Sequence, residues 1–400
     1  MHSYTYLLIG GGMAADAAAR GIRDLDGEVS IGIVGAEPTA PVQRPYLTKK
    51  LWLDSGTPFD DVWLRTAEDT GAVLRLGERV VELDTAAHVA RTDVGEEYRY
   101  DRALLATSGT PRRIGLPEHD RVIPFRTVRD YQRLRELAGN GRHVAVVGGG
   151  FIGTELAAAL AQNDTRVTMV FPEALVGAAT YPAPLAAHLD AAFGGAGVEV
   201  RGGTTLASGR VRDDGSGVVL TTSDGDAIEA DAVVLGLGIE IDLSLAEAAG
   251  LRTERGGVVV DSFLRSSDRD VFAAGDVARY PDKILGRTRV EHVEAAQTMG
   301  RQAGRNLAGA AEEYTFTPSF YSDLFADGFE AVGRLDARLG TVEDWRTPPG
   351  GDGQPEGVVY YLEGDRVVGV LLWNTWDSTD KARAVLARGR VDPAELPGTI

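Results

Sequence analysis

The feature that most constrains this chain is a strand, a glycine-rich turn and an alanine-rich helix, present twice. The copies are YTYLLIGGGMAADAAAR (4–20) and HVAVVGGGFIGTELAAALAQ (143–162). In each copy the run of β-branched and leucine residues predicts a buried parallel strand, and the alanines after the glycines predict a helix. The chain is therefore expected to contain two doubly wound α/β units.

The spacing of small residues predicts that both turns bind the pyrophosphate of a dinucleotide. The residues that fit GxGxxA are Gly10, Gly12 and Ala15, and those that fit GxGxxG are Gly148, Gly150 and Gly153. The first glycine permits the turn, the second lets the backbone approach the phosphates, and the third position must be small where helix packs on strand. The helix N-terminus then offers free N–H groups to the phosphates.

An acidic residue follows the next predicted strand in each copy. Glu37 ends VSIGIVGAE, and Glu173 ends RVTMVFPE. A carboxylate at this position binds the ribose hydroxyls of a dinucleotide. Two complete fingerprints predict two different dinucleotides: one brings a hydride and leaves, and the other stays bound and receives it.

Composition limits the chemistry and the partners. The 400 residues exceed what one core usually holds, so two or three domains are expected. The chain has 0 cysteines, which excludes disulfides and thiolate metal sites, and no metal site is predicted. A net charge of -18 disfavours nucleic acid and anionic membranes. No apolar run is long enough to span a membrane, and no leader precedes the first strand, so a cytoplasmic protein is expected.

Further segments carry a resemblance to a known family. YDRALLATSGTPRR (100–113), ADAVVLGLGIEID (230–242) and DVFAAGDVARY (270–280) resemble the pyridine-nucleotide flavoprotein reductases with two dinucleotide-binding domains. The segments that narrow the resemblance to the ferredoxin-reductase and apoptosis-inducing-factor branch, and most to the apoptosis-inducing factors, are RPYLTKK (44–50), VFPE (170–173), LGRTRVEHVEAAQTMGRQAG (285–304), FYSDL (320–324) and VVGVLLWNTWDSTDKAR (367–383).

The resemblance implies a fold of three parts. A discontinuous Rossmann-like FAD domain is expected at 1–113 and 243–314, with a Rossmann-like NAD domain inserted at 114–242. A C-terminal α+β interface domain is expected at 315–400. Its strand-like runs predict an antiparallel sheet followed by a helix from about Ser378 to Arg388.

The resemblance also assigns the site. The residues assigned to FAD are Gly10, Gly12, Ala15, Glu37, Arg44, Lys49, Thr107, Gly109 and Asp276, those assigned to NADH are Gly148, Gly150, Gly153, Glu173 and Gly238, and those near the nicotinamide are Glu291, His292, Tyr321 and Trp373. Lys49, Glu155 and His292 are the predicted catalytic residues, with Lys49 and Glu155 paired at the flavin. Ordinary structural roles remain open: a solvated lysine, a helix acid, a packed histidine and a core tryptophan.

The predicted function is NADH oxidation by FAD, with electrons passed to a ferredoxin, a quinone or dioxygen. The alternative is a redox-sensing protein like the apoptosis-inducing factors, with slow flavin reoxidation and NADH-linked dimerisation, so a monomer or a reduction-linked homodimer is expected. A short 341–356 segment, the missing leader and the acidic charge argue against an apoptotic or DNA-binding role. A flavin monooxygenase is disfavoured because the C-terminal domain is small for a substrate chamber.

One basic segment suggests where an acidic ferredoxin would dock. Residues 279–305 contain six basic residues, Arg279, Lys283, Arg287, Arg289, Arg301 and Arg305, against three acidic ones, Asp282, Glu291 and Glu294. A set of solvated arginines is the other interpretation.

Overall fold

The computed structural model describes residues 1–400, which form two units. The α-helices are α1 (Met13–Arg23), α2 (Lys50–Leu53), α3 (Thr66–Thr70), α4 (Val128–Leu137), α5 (Phe151–Ala161), α6 (Ala183–Gly195), α7 (Ser244–Ala248), α8 (Val293–Leu307) and α9 (Thr379–Ala387). The strands of the first half are β1 (His2–Ile9), β2 (Ile31–Gly35), β3 (Val73–Leu76), β4 (Val80–Asp84), β5 (Val89–Thr92), β6 (Glu97–Leu105), β7 (Thr110–Pro111), β8 (Val122–Pro124), β9 (His143–Val147), β10 (Arg166–Phe171) and β11 (Glu199–Gly202). The remaining strands are β12 (Leu206–Val211), β13 (Val218–Thr222), β14 (Ala227–Ala230), β15 (Ala232–Leu235), β16 (Ile239–Glu240), β17 (Thr253–Glu254), β18 (Gly257–Val259), β19 (Val271–Ala273), β20 (Ala278–Asp282), β21 (Gly286–Thr288), β22 (Ser319–Leu324), β23 (Asp327–Gly333), β24 (Gly340–Thr347), β25 (Glu356–Glu363) and β26 (Arg366–Trp373).

The first unit comprises residues 1–44, 58–110 and 240–318. Its main sheet has the order β3-β2-β1-β6-β5-β4, and β19 also pairs with β6. Strands β1, β2, β3, β6 and β19 run parallel, whereas β4 and β5 form an antiparallel extension. The parallel part confirms the predicted doubly wound sheet, and its carboxyl edge brings the glycine turn after β1 beside the residues that follow β2 and β6.

Helices α1 and α8 cross in the first unit at unusually short range. A Cβ atom added to Gly304 would lie 2.0 Å from the carbonyl oxygen of Ala18, and one added to Gly300 would lie 2.4 Å from that of Ala14. Small residues on both helices therefore allow the two backbones to touch. This contact holds α8, and with it the residues that precede α8, against α1, the helix that follows the first glycine turn.

We expect Gly304→Ala to destabilise the protein by at least about 2 kcal/mol, because the added methyl meets a backbone carbonyl that has no alternative rotamer. Gly194→Ala is the matched control. Gly194 is a helical glycine in α6 with nothing within 4 Å of an added Cβ, so alanine there is expected to stabilise slightly. Thermal unfolding of both variants checks this, and equal melting temperatures would contradict the close crossing.

The second unit comprises residues 45–57, 111–239 and 319–400. Its parallel sheet has the order β11-β10-β9-β15-β8, with β9 at the centre between β10 and β15. This is the second predicted doubly wound sheet. The antiparallel strands β12, β13 and β14 form a separate sheet, and the two share a buried cluster that includes Val147, Leu220 and Val233.

The C-terminal residues form the predicted antiparallel sheet, with the order β22-β23-β26-β25-β24. Helix α9 follows it at Thr379–Ala387, within one residue of each predicted end. These two elements and the two Rossmann-like sheets confirm the α/β fold class. The division of the chain into three domains remains a prediction.

The segment Pro45–Thr57 packs in the second unit although the residues on both sides of it belong to the first. The ring of Trp52 contacts that of Tyr131 edge to face, and the Trp52 carbonyl accepts a hydrogen bond from Asn163 at 3.0 Å. The hydroxyl of Tyr131 donates to the carbonyl of Leu51 at 3.3 Å. These contacts place Lys49 in the same unit as α5.

Candidate functional site

The first glycine turn has the geometry of a phosphate-binding loop. Gly10 has φ +120, and an added Cβ would lie 2.1 Å from the carbonyl oxygen of Ala106, so only glycine fits. Gly12 is the N-cap of α1, no side chain caps the helix, and nothing lies within 4 Å of an added Cβ. Ala15 is fully buried and belongs to the hydrophobic core cluster of this unit. The uncapped N–H groups of α1 thus face an open cradle of a kind that accepts a phosphate.

Two predicted carboxylates lie on the same unit with polar partners. Glu37 lies just beyond β2 and forms an ion pair with Arg44, which brings these two predicted residues together. Asp276 lies in the short helical turn Gly275–Val277 and accepts a hydrogen bond from Ser108. Ser108 was not among the predicted site residues, although it is the second residue of the TSGT turn. The assignment of these two carboxylates to the ribose and ribityl hydroxyls of FAD stays a prediction.

The other predicted residues of this unit lie at the ends of its strands and at α8. Thr107 and Gly109 flank Ser108 beyond β6, and Thr107 is exposed. Glu291 is exposed and forms an ion pair with Arg289 at 2.7 Å. Arg289 also donates to the carbonyl of Asp276 at 3.1 Å, which ties the segment before α8 to the Asp276 turn.

His292 is the N-cap residue of α8. Burial lowers the pKa of His292 to about 4, and the nearby Asp276 acts in the opposite direction. The imidazole is therefore neutral at pH 7. A neutral ring can donate or accept a hydrogen bond beside a ligand without adding a charge.

The pKa of His292 predicts a pH-dependent stability. The pKa of the His292 imidazole is about 6.5 in the unfolded chain and about 4 in the folded protein. Between these two pH values the unfolded chain binds a proton that the folded protein does not bind. Stability should therefore fall as the pH drops through this window, by at most about 1.4 kcal/mol per pH unit. The free energy of unfolding of the FAD-saturated protein, measured with denaturant at several pH values, should depend less steeply on pH for His292→Asn than for the parent. Replacement of the exposed His119 by asparagine serves as the control. Parallel slopes in all three proteins would refute the assignment.

The second glycine turn repeats the first in the second unit. Gly148 has φ +115, and an added Cβ would lie 2.5 Å from the carbonyl oxygen of Gly236. Gly150 is the N-cap of α5 without a side-chain cap and faces open space. A Cβ on Gly153 would lie 2.0 Å from the carbonyl oxygen of Gly148, so the helix and the turn touch. This turn forms a second cradle for a phosphate.

Glu173 and Gly238 lie at the same edge of this sheet. Glu173 is partly exposed two residues beyond β10, and its carbonyl accepts a hydrogen bond from Gly203 at 2.6 Å. Gly238 is exposed beyond β15 with φ +75, and its carbonyl accepts from Arg112 at 3.0 Å. Both therefore follow the strands that flank β9, the strand that leads into the second glycine turn.

Lys49 and Glu155 form the ion pair predicted by resemblance. The Lys49 Nζ lies 3.2 Å from Glu155 Oε1, and the two side chains are only 11% and 7% exposed. The ammonium also lies 4.1 Å from the ring centroid of Tyr321, and it donates to the Tyr321 carbonyl at 3.3 Å. Asp323 is more distant, at 4.0 Å from Nζ. The solvated-lysine interpretation does not describe Lys49, because its charge is enclosed by these partners.

Tyr321 and Trp373, the two predicted aromatic residues, differ in exposure. Tyr321 is 47% exposed, so part of its surface is accessible. Trp373 is fully buried, with Phe329 stacked on its ring, Tyr181 against it edge to face, and Asp327 accepting from its Nε1 at 3.2 Å. Trp373 therefore has the geometry of a core residue, which is the structural role that its sequence left open.

The basic segment 279–305 carries less free positive charge than its composition indicates. The ion pairs are Lys283 with Glu313, Arg289 with Glu291, Arg301 with Asp24, and Arg305 with both Glu312 and Asp24. Most of these acids lie outside the segment and are brought to it by the fold. Arg279 and Arg287 instead donate to backbone carbonyls. Arg279 and Arg287 are therefore the two cations of the segment outside these ion pairs, and the carboxylate of Glu254 interacts electrostatically with both.

Two Rossmann-like sheets, each with an uncapped helix behind a glycine turn and a carboxylate after the next strand, define a protein that binds two dinucleotides. The family model described as pyridine nucleotide-disulphide oxidoreductase matches residues 4–300, and the chain belongs to this family. Because the chain has 0 cysteines, its redox chemistry does not use a protein disulfide.

Relatives extend the likeness over the whole chain. Apoptosis-inducing factor 1 of Dictyostelium discoideum is 31% identical, with 98% of this chain and 79% of that protein covered. The ferredoxin–NAD(+) reductase component of the anthranilate 1,2-dioxygenase system of Burkholderia cepacia is 33% identical, with 99% and 97% covered. The reductase in the covalent putidaredoxin reductase–putidaredoxin complex matches with a TM-score of 0.87 at 27% identity, covering 98% and 95%.

These findings confirm the predicted class of enzyme. The protein is an FAD-dependent NADH oxidoreductase of the branch that includes ferredoxin reductases and apoptosis-inducing factors. The two open cradles and their carboxylates fit FAD and NADH, which are its cofactors. No helix of the structure has the length and apolar character needed to cross a membrane.

Proposed function

We propose that this protein passes electrons from NADH through FAD to a ferredoxin. The observation that carries the proposal is its relation to the Burkholderia ferredoxin–NAD(+) reductase component, which covers nearly the full length of both chains. The structurally similar putidaredoxin reductase was solved in a covalent complex with putidaredoxin. A chain without cysteine must hold the electrons on a bound cofactor and release them at the edge of that cofactor.

In this proposal the first unit binds FAD and the second unit binds NADH. In the first unit the Gly12 turn binds the FAD pyrophosphate, and Glu37 and Asp276 bind its ribose and ribityl hydroxyls. In the second unit the Gly150 turn and Glu173 bind the corresponding parts of NADH. Bound FAD supplies an acceptor for the hydride of NADH. The chain contributes orientation and exclusion of water, and the transfer needs no general acid or base.

Lys49 and Glu155 act on this transfer through charge. A fixed ammonium stabilises the electron-rich reduced flavin more than the oxidised one. Glu155 holds that ammonium at 3.2 Å and keeps it from rotating away. In the same proposal, the exposed side chain of Tyr321 and the neutral ring of His292 contact the nicotinamide and the flavin.

The relation to apoptosis-inducing factor 1 favours a second candidate, a redox sensor whose reduced flavin persists and changes its association. Monomer–dimer behaviour separates the two. Size-exclusion chromatography with and without NADH should leave the elution volume of a reductase unchanged and should shift that of a sensor. A cytoplasmic location is part of the reductase proposal, and fractionation of the source cells checks it.

The test of the reductase proposal is a survey of acceptors. Steady-state oxidation of NADH is measured with an acidic ferredoxin, a neutral quinone and dioxygen, each at low and high salt. We expect the ferredoxin to be reduced fastest. Turnover with dioxygen alone would refute the proposal and favour an oxidase or a sensor.

The same survey locates the docking site. If ferredoxin docks at Arg279 and Arg287, its reduction should slow as salt rises, while quinone reduction stays constant. Arg287→Glu should lower the ferredoxin rate more than Arg301→Glu, because the charge of Arg301 is already shared with Asp24 at 2.8 Å. Equal losses in the two variants would exclude this docking site.

A further inference from the structure

The carboxylate of Glu155 has more partners than its ion pair with Lys49. Oε2 accepts a hydrogen bond from Thr48 Oγ1 at 2.6 Å, and Oε1 accepts one from Ser322 Oγ at 2.7 Å. Thr48 is 4% exposed and Ser322 is 1% exposed, so water does not replace either donor. Each carboxylate oxygen therefore has its own buried hydroxyl, and Oε1 also receives the ammonium of Lys49.

The donors match an ionised carboxylate, which only accepts hydrogen bonds. Hydrogen bonds to a charged acceptor are shorter and stronger than those between neutral groups, and the two hydroxyl distances are in the short range. With one oxygen tied to Thr48 and the other to Ser322, rotation about the last bond of Glu155 would break both bonds. The hydroxyls thus set the orientation in which Oε1 meets Lys49.

The donors come from the two chain segments that also hold Lys49. Thr48 directly precedes Lys49, and Ser322 directly follows Tyr321, whose ring and carbonyl contact the Lys49 ammonium. Thr48 binds Glu155, and its neighbour Lys49 supplies the ammonium. Ser322 binds Glu155, and its neighbour Tyr321 contacts the ammonium. Glu155 on α5 is therefore the point at which these two segments are joined.

We propose that Thr48 and Ser322 are positioning residues that hold Glu155, and through it Lys49, in the arrangement that accelerates flavin reduction. This inference rests on the proposed function, in which Lys49 and Glu155 act on the flavin. Thr48 and Ser322 touch neither dinucleotide in this mechanism. Their effect is expected on the rate of hydride transfer and not on the affinity for NADH.

The experiment measures the reductive half-reaction of the FAD-loaded protein by stopped flow over a range of NADH concentrations. Thr48→Val and Ser322→Ala should each slow flavin reduction at saturating NADH at least fivefold, with the dissociation constant for NADH changed less than twofold. Thr48→Ser keeps the hydroxyl and should stay within twofold of the parent. FAD content and melting temperature of each variant are recorded, and Ser322→Ala tests the inference if Thr48→Val does not fold.

Thr168→Val is the matched control. Thr168 is a buried threonine of β10 in the same unit, and its Oγ1 donates to the carboxylate of Glu199 at 2.8 Å. It has the same kind of bond as Thr48 but does not contact Lys49 or Glu155. The control should reduce at the rate of the parent, and an equal loss there would refute a specific role for Thr48.

A double-mutant cycle separates positioning from general structural damage. In a Glu155→Gln background, Thr48→Val and Ser322→Ala should cause no further slowing, because the group they position is already changed. The same fivefold loss in both backgrounds would refute the inference while leaving the role of Glu155 intact. An unchanged rate in Glu155→Gln alone would overturn the assignment of Glu155 under the proposed function, and this inference with it.

Discussion

Replacing Lys49 by glutamine is expected to slow the reduction of bound FAD by NADH at least tenfold while FAD stays bound. The ammonium stabilises the negative charge that develops on the flavin, so its loss raises the barrier by about 1.4 kcal/mol or more. Glutamine is one atom shorter than lysine but keeps a hydrogen-bond donor on the side of Glu155, so the variant removes the charge and little of the packing. Stopped-flow reduction at saturating NADH measures the effect.

Lys50→Gln is the matched control for this prediction. Lys50 is the adjacent residue and is exposed, and its ammonium lies 4.9 Å from the ring centroid of Tyr46. Its replacement changes net charge equally but leaves the buried pair intact. Equal rates for Lys49→Gln and the parent would remove Lys49 from the mechanism, whereas equal losses in both variants would show that only the net charge matters.

A second large effect is expected in the choice of nucleotide: kcat/KM should be at least tenfold higher with NADH than with NADPH. Glu173 repels a 2'-phosphate at the ribose position, and tenfold corresponds to about 1.4 kcal/mol. The nearest candidate to neutralise that phosphate on the neighbouring strand, Arg201, forms ion pairs with Glu199 at 2.7 Å and Asp226 at 3.5 Å. Arg166 lies at the opposite end of β10.

Glu173→Ala should narrow this preference, because the NADPH efficiency rises as the repulsion is removed and the NADH efficiency falls as the ribose contact is lost. Glu229→Gln is the charge-matched control in the same unit, where Glu229 forms a surface ion pair with Arg212 at 2.8 Å. Initial-rate kinetics with both nucleotides check the result. Equal efficiencies in the parent protein would refute the role of Glu173.

Much of the dinucleotide machinery was predictable from short stretches of sequence. Gly10, Gly12, Gly148 and Gly150 lie in strand–turn–helix units of about twenty residues, in which the strand direction and the helix start are set locally. Glu37 and Glu173 follow the next strand of each unit, so their places at the carboxyl edge also follow from strand order. Resemblance added Lys49 and Glu155, and the structure brings these distant residues to 3.2 Å.

Other features depended on residues far apart in the chain. The charge of the segment 279–305 was overestimated because its composition omits acids such as Asp24, which the α1–α8 contact brings to Arg301. The local sequence of Trp373 does not show whether the ring lines a binding site or packs in the core. The rings of Phe329 and Tyr181, which cover it, are distant in the chain.

The sequence by itself determined that this protein binds two dinucleotides and carries electrons on a cofactor. Glycine spacing and strand patterning act within short stretches of chain, and the absence of cysteine is read directly from the composition. Only the tertiary structure decided how the charge of Lys49 is held. Thr48 and Ser322 lie 107 and 167 positions from Glu155, and hydrogen bonds of 2.6 and 2.7 Å exist only where packing brings those segments together. Hydrogen-bond geometry depends on tenths of an ångström, and such distances are set by the packing of whole elements and not by the residues that form the bond.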